Sequence, residues 1–474
     1  MRISSELLAL LPEISLIVGA LISMAASMCK NAHRYIYAIP VISLLISLHF
    51  MIQPLSAESC VFTNSIEINN FTFTFKSLLV IASLALLFSI SDRYFSVKVT
   101  PELPGLLLFS LTGGMVMIGS NGLLPLYLGM ELMTLPFYIM VASNLDDRKS
   151  QEASVKYFIL GSISSCFFLF GCAIIYGSCG SIDFSQIRNF ALTDGQGNHI
   201  FALACIFVIS AFCFKISLAP FHIWVPDVYQ GSSTYVTGLL SSLPKIASLA
   251  IFAKLMYRPF YGLITDLSYV YITMSVLSLF TGAFAAFKQK NIKRLLAYAS
   301  ISQVGFMVSA LATGKSSDIQ YFTFYMAAYM AANIGFFTFL IAFEKSSNNL
   351  EISQLSGLAS KNPVLSVLIT IFVISMAGIP PFIGFFGKFY VIIALINGNL
   401  FPLACCLVLA SLISVYYYLK IIKAIYFDKG RNVIKINISC EKWLIMFLCA
   451  AFCTFSAIQL DSLLIFTKNS AGLL

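Results

Sequence analysis

Apolar stretches of about twenty residues recur along the whole chain, and they limit its fold more than any other feature. A hydrocarbon core about 30 Å thick is crossed by about 20 helical residues. Inside it every backbone N–H and C=O must be paired within the segment, which leaves helices as the solution for isolated apolar stretches. Counting such stretches between clusters of charge, Pro and Gly gives fourteen spans, at 7–28, 35–52, 76–93, 103–120, 123–142, 156–178, 200–224, 234–257, 267–287, 294–313, 319–343, 363–397, 400–426 and 441–467. Composition agrees, with 59% hydrophobic and 10% charged residues, against roughly 25% charged in soluble domains. The expected fold is an all-α polytopic membrane protein with no soluble domain. The longest connection, 53–75, alternates Ile66, Ile68, Phe71, Phe73 and Phe75 and predicts a hairpin outside the bilayer.

Orientation follows from the 29 Lys and Arg residues, because positive loops stay on the cytoplasmic side. Nineteen fall on the side holding the loops 30–34, 93–98, 148–156, 288–294, 345–361 and 420–442. Seven fall opposite, at Arg2, Lys76, Arg188, Lys254, Arg258, Lys315 and Lys468, and three lie inside spans. Both termini are therefore expected to face away from the cytoplasm. The net charge of +9 then reflects topology and not nucleic-acid binding, and KQKNIKR at 288–294 reads as an anchor. Arg2 before an apolar stretch suggests a secretory leader, but Pro12 and Glu13 interrupt it and no A-x-A site follows, so it reads as the first span. The 12 Cys lie mostly within spans without a C-x-x-C pair, so no metal or cluster site is expected.

Four charges sit far from any span end. Glu131 is the ninth residue of its span, Lys215 the sixteenth and Lys245 the twelfth of theirs, and Lys388 lies in MAGIPPFIGFFGKFYV. An ionised group at the centre of a membrane helix costs about 2.5 to 3.5 kcal/mol on insertion scales, so four together point to function. One carboxylate cannot neutralise three lysines. Desolvation favours the neutral amine and a nearby carboxylate favours the ammonium, so moving the carboxylate's influence makes a lysine take up or release a proton. The bland reading is structural ion pairing or snorkelling.

The prolines add a second constraint. Pro220 and Pro226 break the span through Lys215, and Pro380 and Pro381, between Gly378 and Gly384, break the span through Lys388. Broken helices persist in a bilayer only where freed backbone groups face protein or water. Two broken spans five helices apart match inverted repeats, spans four to eight against nine to thirteen. The divisions expected are 1–102 (three amino-terminal helices), 103–257 (first repeat, helix 7 broken near Pro220), 258–430 (second repeat, helix 12 broken near Pro380 and Pro381) and 431–474 (last helix). His222, between the prolines of the first break, has the right chemistry for a relay near neutral pH. Asp227 reads as a loop or capping residue, and Lys156 as a surface anchor.

FKISLAPFHIWVPDVYQG (214–231), SLPKIA around Lys245, NIKRLLAYASISQVGFM (291–307) and GIPPFIGFFGKFYV (378–391) closely resemble the antiporter-like membrane subunits of respiratory complex I, over nearly the whole chain. The resemblance is nearest to the subunit N branch, the branch of mitochondrial subunit 2, in a bacterial or other full-length form. The subunit M branch and the cation/proton antiporters carry glutamate where this chain has Lys388, and the subunit L branch adds a long lateral helix. The resemblance implies that Glu131 pairs with Lys215 as an input module, that Lys245 is a central relay, and that Lys388 connects to one aqueous face. It further implies a proton-translocating, non-redox subunit of an NADH:quinone oxidoreductase in a bacterial inner membrane. This chain would hold no cofactor of its own, while NAD, FMN, iron–sulfur clusters and quinone would belong to membrane and peripheral partner subunits. Two alternatives stay open: a stand-alone cation/proton antiporter of the same fold, and a scaffold whose charges only lock helices together.

Overall fold

The computed structural model describes residues 7, 9–29, 36–52, 59–62, 64–90, 100–144, 146–344, 350–428, 436 and 438–471. In chain order the helices are α1 Leu11–Ser27, α2 Ala38–Ile52, α3 Asn70–Ile90, α4 Leu103–Gly119, α5 Leu123–Val141, α6 Arg148–Cys179, α7 Phe184–Leu192, α8 His199–Ile216, α9 Trp224–Gly231, α10 Thr234–Tyr257, α11 Ile264–Phe287, α12 Ile292–Leu311, α13 Ile319–Glu344, α14 Leu358–Lys361, α15 Pro363–Ala377, α16 Ile383–Asn397, α17 Phe401–Tyr426, α18 Cys440–Phe455 and α19 Leu460–Ala471. Among the described residues nine helices are long and apolar enough to cross a membrane, or ten if α18 and α19 count as one bent span. The shorter apolar helices are α1, α2, α4, α15 and α16.

Local sequence sets many of the ends. Asp147 accepts from Lys149 N at 3.0 Å to start α6, Asn198 caps α8 through Ile200 N and Phe201 N, and Asn291 caps α12 through Arg294 N. Pro stands in the first turn of α4, α15 and α17, where its missing N–H costs nothing. α6 stops at Gly180, whose φ of 69° is left-handed.

Every residue of α10 is buried, and α12 and α13 are nearly so, whereas α6, α11 and α17 turn much of their apolar surface outward. The outer helices present Leu, Ile and Phe, as a surface facing lipid tails requires. A pattern of neighbours occurs twice. α4 packs on α5 and α10, and α6 packs on α8 and α9; then α11 packs on α12 and α17, and α13 packs on α15 and α16.

The expected hairpin is present but shorter than its pattern suggested. β1 (Ser59–Val61) pairs antiparallel with β2 (Ile66–Ile68), with Cys60 opposite Glu67. Phe71, Phe73 and Phe75 belong to α3, because Asn69 and Thr72 cap each other's backbone N–H and start the helix there. The last expected span, 441–467, is two helices bent by 95°. The 16 residues of α18 rise about 24 Å, most of a hydrocarbon core, so the turn falls near its edge, and α19 with Asp461 and Lys468 then packs across α13 and α3. α6 begins at Arg148, so Lys156 lies within the helix and not at its start.

Lys149, Lys288 and Lys290 gather at one end of the bundle around a polar pocket that Gln230 and Glu351 also line. The hairpin lies at the opposite end, against Ser120. The basic loops at 30–34 and 93–98, together with Arg2, lie outside the described residues.

Candidate functional site: a line of buried lysines

Both expected breaks are present. α8 ends at Ser217, φ 66°, and the chain passes a cis Ala219–Pro220 bond before α9. α15 ends at Gly378, φ 79°, and passes a cis Pro380–Pro381 bond before α16. The freed backbone groups find protein partners: Trp224 Nε1 donates to Phe214 O at 3.1 Å, Ala219 N to Ser278 Oγ at 2.9 Å, and Lys388 Nζ to Ala377 O at 2.9 Å.

Lys215, Lys245 and Lys388 are all buried, at 4%, 1% and 4% exposure. Their surroundings differ. Lys215, near the end of α8, lies 6.0 Å from the centre of the Phe214 ring and has no hydrogen-bond partner for Nζ among the described residues. Glu131 on α5 accepts from Ser165 Oγ at 2.5 Å, so it acts on Lys215 through space and not by contact. Lys245 donates to Ser300 Oγ at 2.7 Å and sits 5.6 Å from the centre of the Tyr229 ring. Lys388 adds Ser411 Oγ at 3.3 Å to its carbonyl partner and lies 4.7 Å from the centre of the Phe306 ring. A Cβ on Gly378 would stand 2.7 Å from Lys388 Cδ, so the glycine serves both the left-handed turn and the passage of the lysine. His222 is half-buried in the turn between α8 and α9, and its Nδ1 has no hydrogen-bond partner among the described residues.

α12 joins the last two lysines. Ser300, Gln303 and Phe306 recur every third residue and so share one helical face. Ser300 meets Lys245 and Phe306 meets Lys388. Between them Gln303 donates to Met376 O at 2.9 Å and to Tyr418 Oη at 3.4 Å, and accepts from Tyr325 Oη. Asn333 on α13 donates to Ser241 and Ser242, one turn from Lys245. A line of polar groups therefore runs from α10 through α12 to α16 inside an apolar bundle.

The family described as "NADH:quinone oxidoreductase/Mrp antiporter, TM" matches residues 120–414, which hold Glu131, Lys215, Lys245 and Lys388 and both breaks. The chain belongs to that family. A relative in Pelagibacter ubique, "NADH-quinone oxidoreductase subunit N", is 38% identical over 428 residues, 89% of this chain and 90% of the relative. In solved structures, a chain of respiratory complex I from Thermus thermophilus with bound aureothin superposes with TM-score 0.79 at 23% identity, covering 95% of this chain and 98% of that one. A chain of the Mrp complex from Dietzia sp. gives TM-score 0.85 at 19% identity, covering 99% and 97%. The antiporter-like membrane fold is thus shared by the redox-linked and the Mrp members of the family.

Several buried groups escaped a reading based on isolated mid-span charges. Lys254 and Lys76, counted as charges of one aqueous side, are buried in ion pairs: Lys254 Nζ lies 3.1 Å from Glu67 Oε2, and Lys76 Nζ 2.5 Å from Glu13 Oε1. Lys293, counted as an anchor, is buried and donates to Ser232 O at 2.7 Å. Asp227 is no loop residue: it lies in α9 and meets Lys156 Nζ and Arg294 Nη1, each at 3.0 Å. Lys156 also meets Glu152 at 2.6 Å. Gln303 and Asn333 had a legible signal, since uncharged amides in mid-span need partners as charges do. Among the described residues no three His, Cys, Asp or Glu side chains are grouped to hold a metal ion.

Proposed function

We propose that this chain is a proton-translocating, non-redox membrane subunit of a bacterial NADH:quinone oxidoreductase, and that Glu131, Lys215, Lys245 and Lys388 carry its protons. The relative named for that complex supports the assignment, covering nine-tenths of both chains. The observation that carries the relay is the Ser300–Gln303–Phe306 face, which spans the gap between Lys245 and Lys388. Lys215 would be the input: buried without a hydrogen-bond partner among the described residues, its charge depends on how closely Glu131 approaches. A proton crossing 100 mV is worth about 2.3 kcal/mol, close to a two-unit swing in a lysine's proton affinity, so a small motion of one carboxylate is enough. His222 is a secondary candidate at the first break.

The nine long helices, the three short ones α1, α2 and α4, the broken pair α15 and α16, and the bent pair α18 and α19 make fourteen spans in this reading. The recurring neighbour pattern supports two repeats, 103–257 and 258–430, flanked by 1–102 and 431–474. The end gathering Lys149, Lys288 and Lys290 would face the cytoplasm, with both termini opposite, in the inner membrane. NAD, FMN, iron–sulfur clusters and quinone would sit in partner subunits.

The test is proton pumping and NADH:quinone turnover in membranes carrying Lys215→Ala, with the assembled complex quantified on a native gel. Assembly with both activities falling together supports the relay. Assembly with both intact removes it, and failure to assemble favours a scaffold.

A further inference from the structure

A second group of buried charges lies outside this line, at the hairpin end of the bundle. Lys254 on α10 is 0% exposed. Its Nζ donates to Ser120 O at 2.7 Å, lies 3.5 Å from Ile118 O, and stands 3.1 Å from Glu67 Oε2 on β2. Glu67 also accepts from Arg258 Nη2 at 2.8 Å and Asn69 Nδ2 at 2.9 Å. Nearby, Lys76 on α3 is paired with Glu13 on α1, and a Cβ on Gly119 would stand 3.2 Å from Lys76 Nζ. Two ammonium groups thus converge on the carbonyl end of α4, where the helix dipole is negative, each with one carboxylate behind it. The charged groups within reach of Lys254 are Glu67, Arg258 and Lys76.

We propose, resting on the pump reading above, that Lys254 and Glu67 form the proton-transfer pair through which the relay meets the aqueous compartment at the hairpin end. The Lys254 ammonium passes a proton to the Glu67 carboxylate, leaving an amine and a carboxylic acid. The acid releases its proton to water beside Arg258, which is partly exposed. The amine is reloaded from the α10 side, where Ser248, buried and with a hydroxyl that has no hydrogen-bond partner among the described residues, lies between Lys245 and Lys254 in the helix. A tie for the hairpin alone needs only the Arg258–Glu67 pair. Burying a second cation there adds a desolvation cost that a structural role does not require.

The experiment uses inverted membrane vesicles carrying the complete complex, with Glu67→Gln, Glu67→Asp and Lys245→Gln compared in parallel. Assembly, dye-reported pumping, and initial NADH:quinone turnover against the pH sealed into the vesicle lumen are read for each. Glu67→Gln is expected to assemble and to lower pumping about tenfold, below the roughly hundredfold that marks the low end of a positioned proton carrier's contribution. Its turnover should lose the lumenal-pH dependence of the unaltered complex, and Glu67→Asp should restore most of it. Normal pumping and an unchanged pH profile in Glu67→Gln, with Lys245→Gln inactive, overturn this pair but leave the pump reading standing. Normal pumping in Lys245→Gln overturns the pump reading itself. Failure of both Glu67 variants to assemble makes the cluster a structural lock and overturns the proposal.

Discussion

The two broken helices share a backbone and differ in where they put their charge. Each has a left-handed residue, Ser217 or Gly378, followed two residues later by a cis bond to proline. Counted from that residue, Lys215 stands two before the first turn, where the second has Met376; Lys388 stands ten after the second, where the first has Asp227. The same device thus carries its lysine on opposite sides of the break. At the second break the lysine is hydrogen-bonded to Ala377 O and Ser411 Oγ within its own half of the chain. At the first it has no hydrogen-bond partner among the described residues and only the Phe214 ring 6.0 Å away, while Asp227 in the other register is held by Lys156 and by Arg294 from α12. One break is closed on itself; the other is tied across the molecule and left electrostatically open.

The largest effects should come from the lysines, and they should separate the two breaks. Lys215→Ala and Lys388→Ala are each expected to lower pumping and coupled turnover tenfold or more in assembled complex. Their stabilities should diverge. Lys388→Ala strands the Ala377 carbonyl, costing about 1 to 3 kcal/mol, whereas Lys215→Ala breaks no hydrogen bond and removes an unpaired buried amine. Thermal unfolding of the purified complex measures this, and equal destabilisation would break the comparison. Gly378→Val follows in size. It strains a left-handed residue by about 1 to 3 kcal/mol and drives a side chain into Lys388, so activity should fall nearly as far with reduced complex on a native gel.

Gln303→Leu probes the link between the halves. It should assemble, since leucine suits an apolar helix, yet leave Tyr325, Tyr418 and Met376 O without their shared partner. Pumping is expected to drop severalfold, less than for a lysine. Pumping equal to the unaltered complex would mean that Lys245 and Lys388 communicate by another route.

What could be read from the sequence divides along the same physical line. Spans, breaks and the four isolated charges were legible because lipid penalises a lone charge and an unpaired backbone group, and each stands out in a local window. The partners of those charges were not. Ser300 lies 55 residues from Lys245, and Ser411 lies 23 from Lys388 across a separate helix. Lys254 and Lys76 read as interfacial because each stands near a span end; only packing against Glu67 and Glu13 from other elements shows them to be buried. The hairpin's extent was misjudged because Phe71, Phe73 and Phe75 fit an alternating strand until the Asn69 and Thr72 cap converts them to helix.

The smallest expected effect tests whether the two turns are equivalent. Gly378 has no Cβ, but Ser217 adopts the left-handed conformation with one, and its buried hydroxyl has no hydrogen-bond partner among the described residues. Ser217→Gly therefore removes about 1 kcal/mol of backbone strain and an unsatisfied polar group, against a similar entropy loss for glycine. If the serine is only a turn residue, pumping should change less than twofold and the unfolding temperature should stay level or rise. Lys215 Nζ, two residues away, is also unpartnered. Two lone polar groups so close in the chain have a reason to meet when Lys215 changes charge. A pumping loss in Ser217→Gly, with stability unchanged, would show that they do, and that the first turn is a working part of the input.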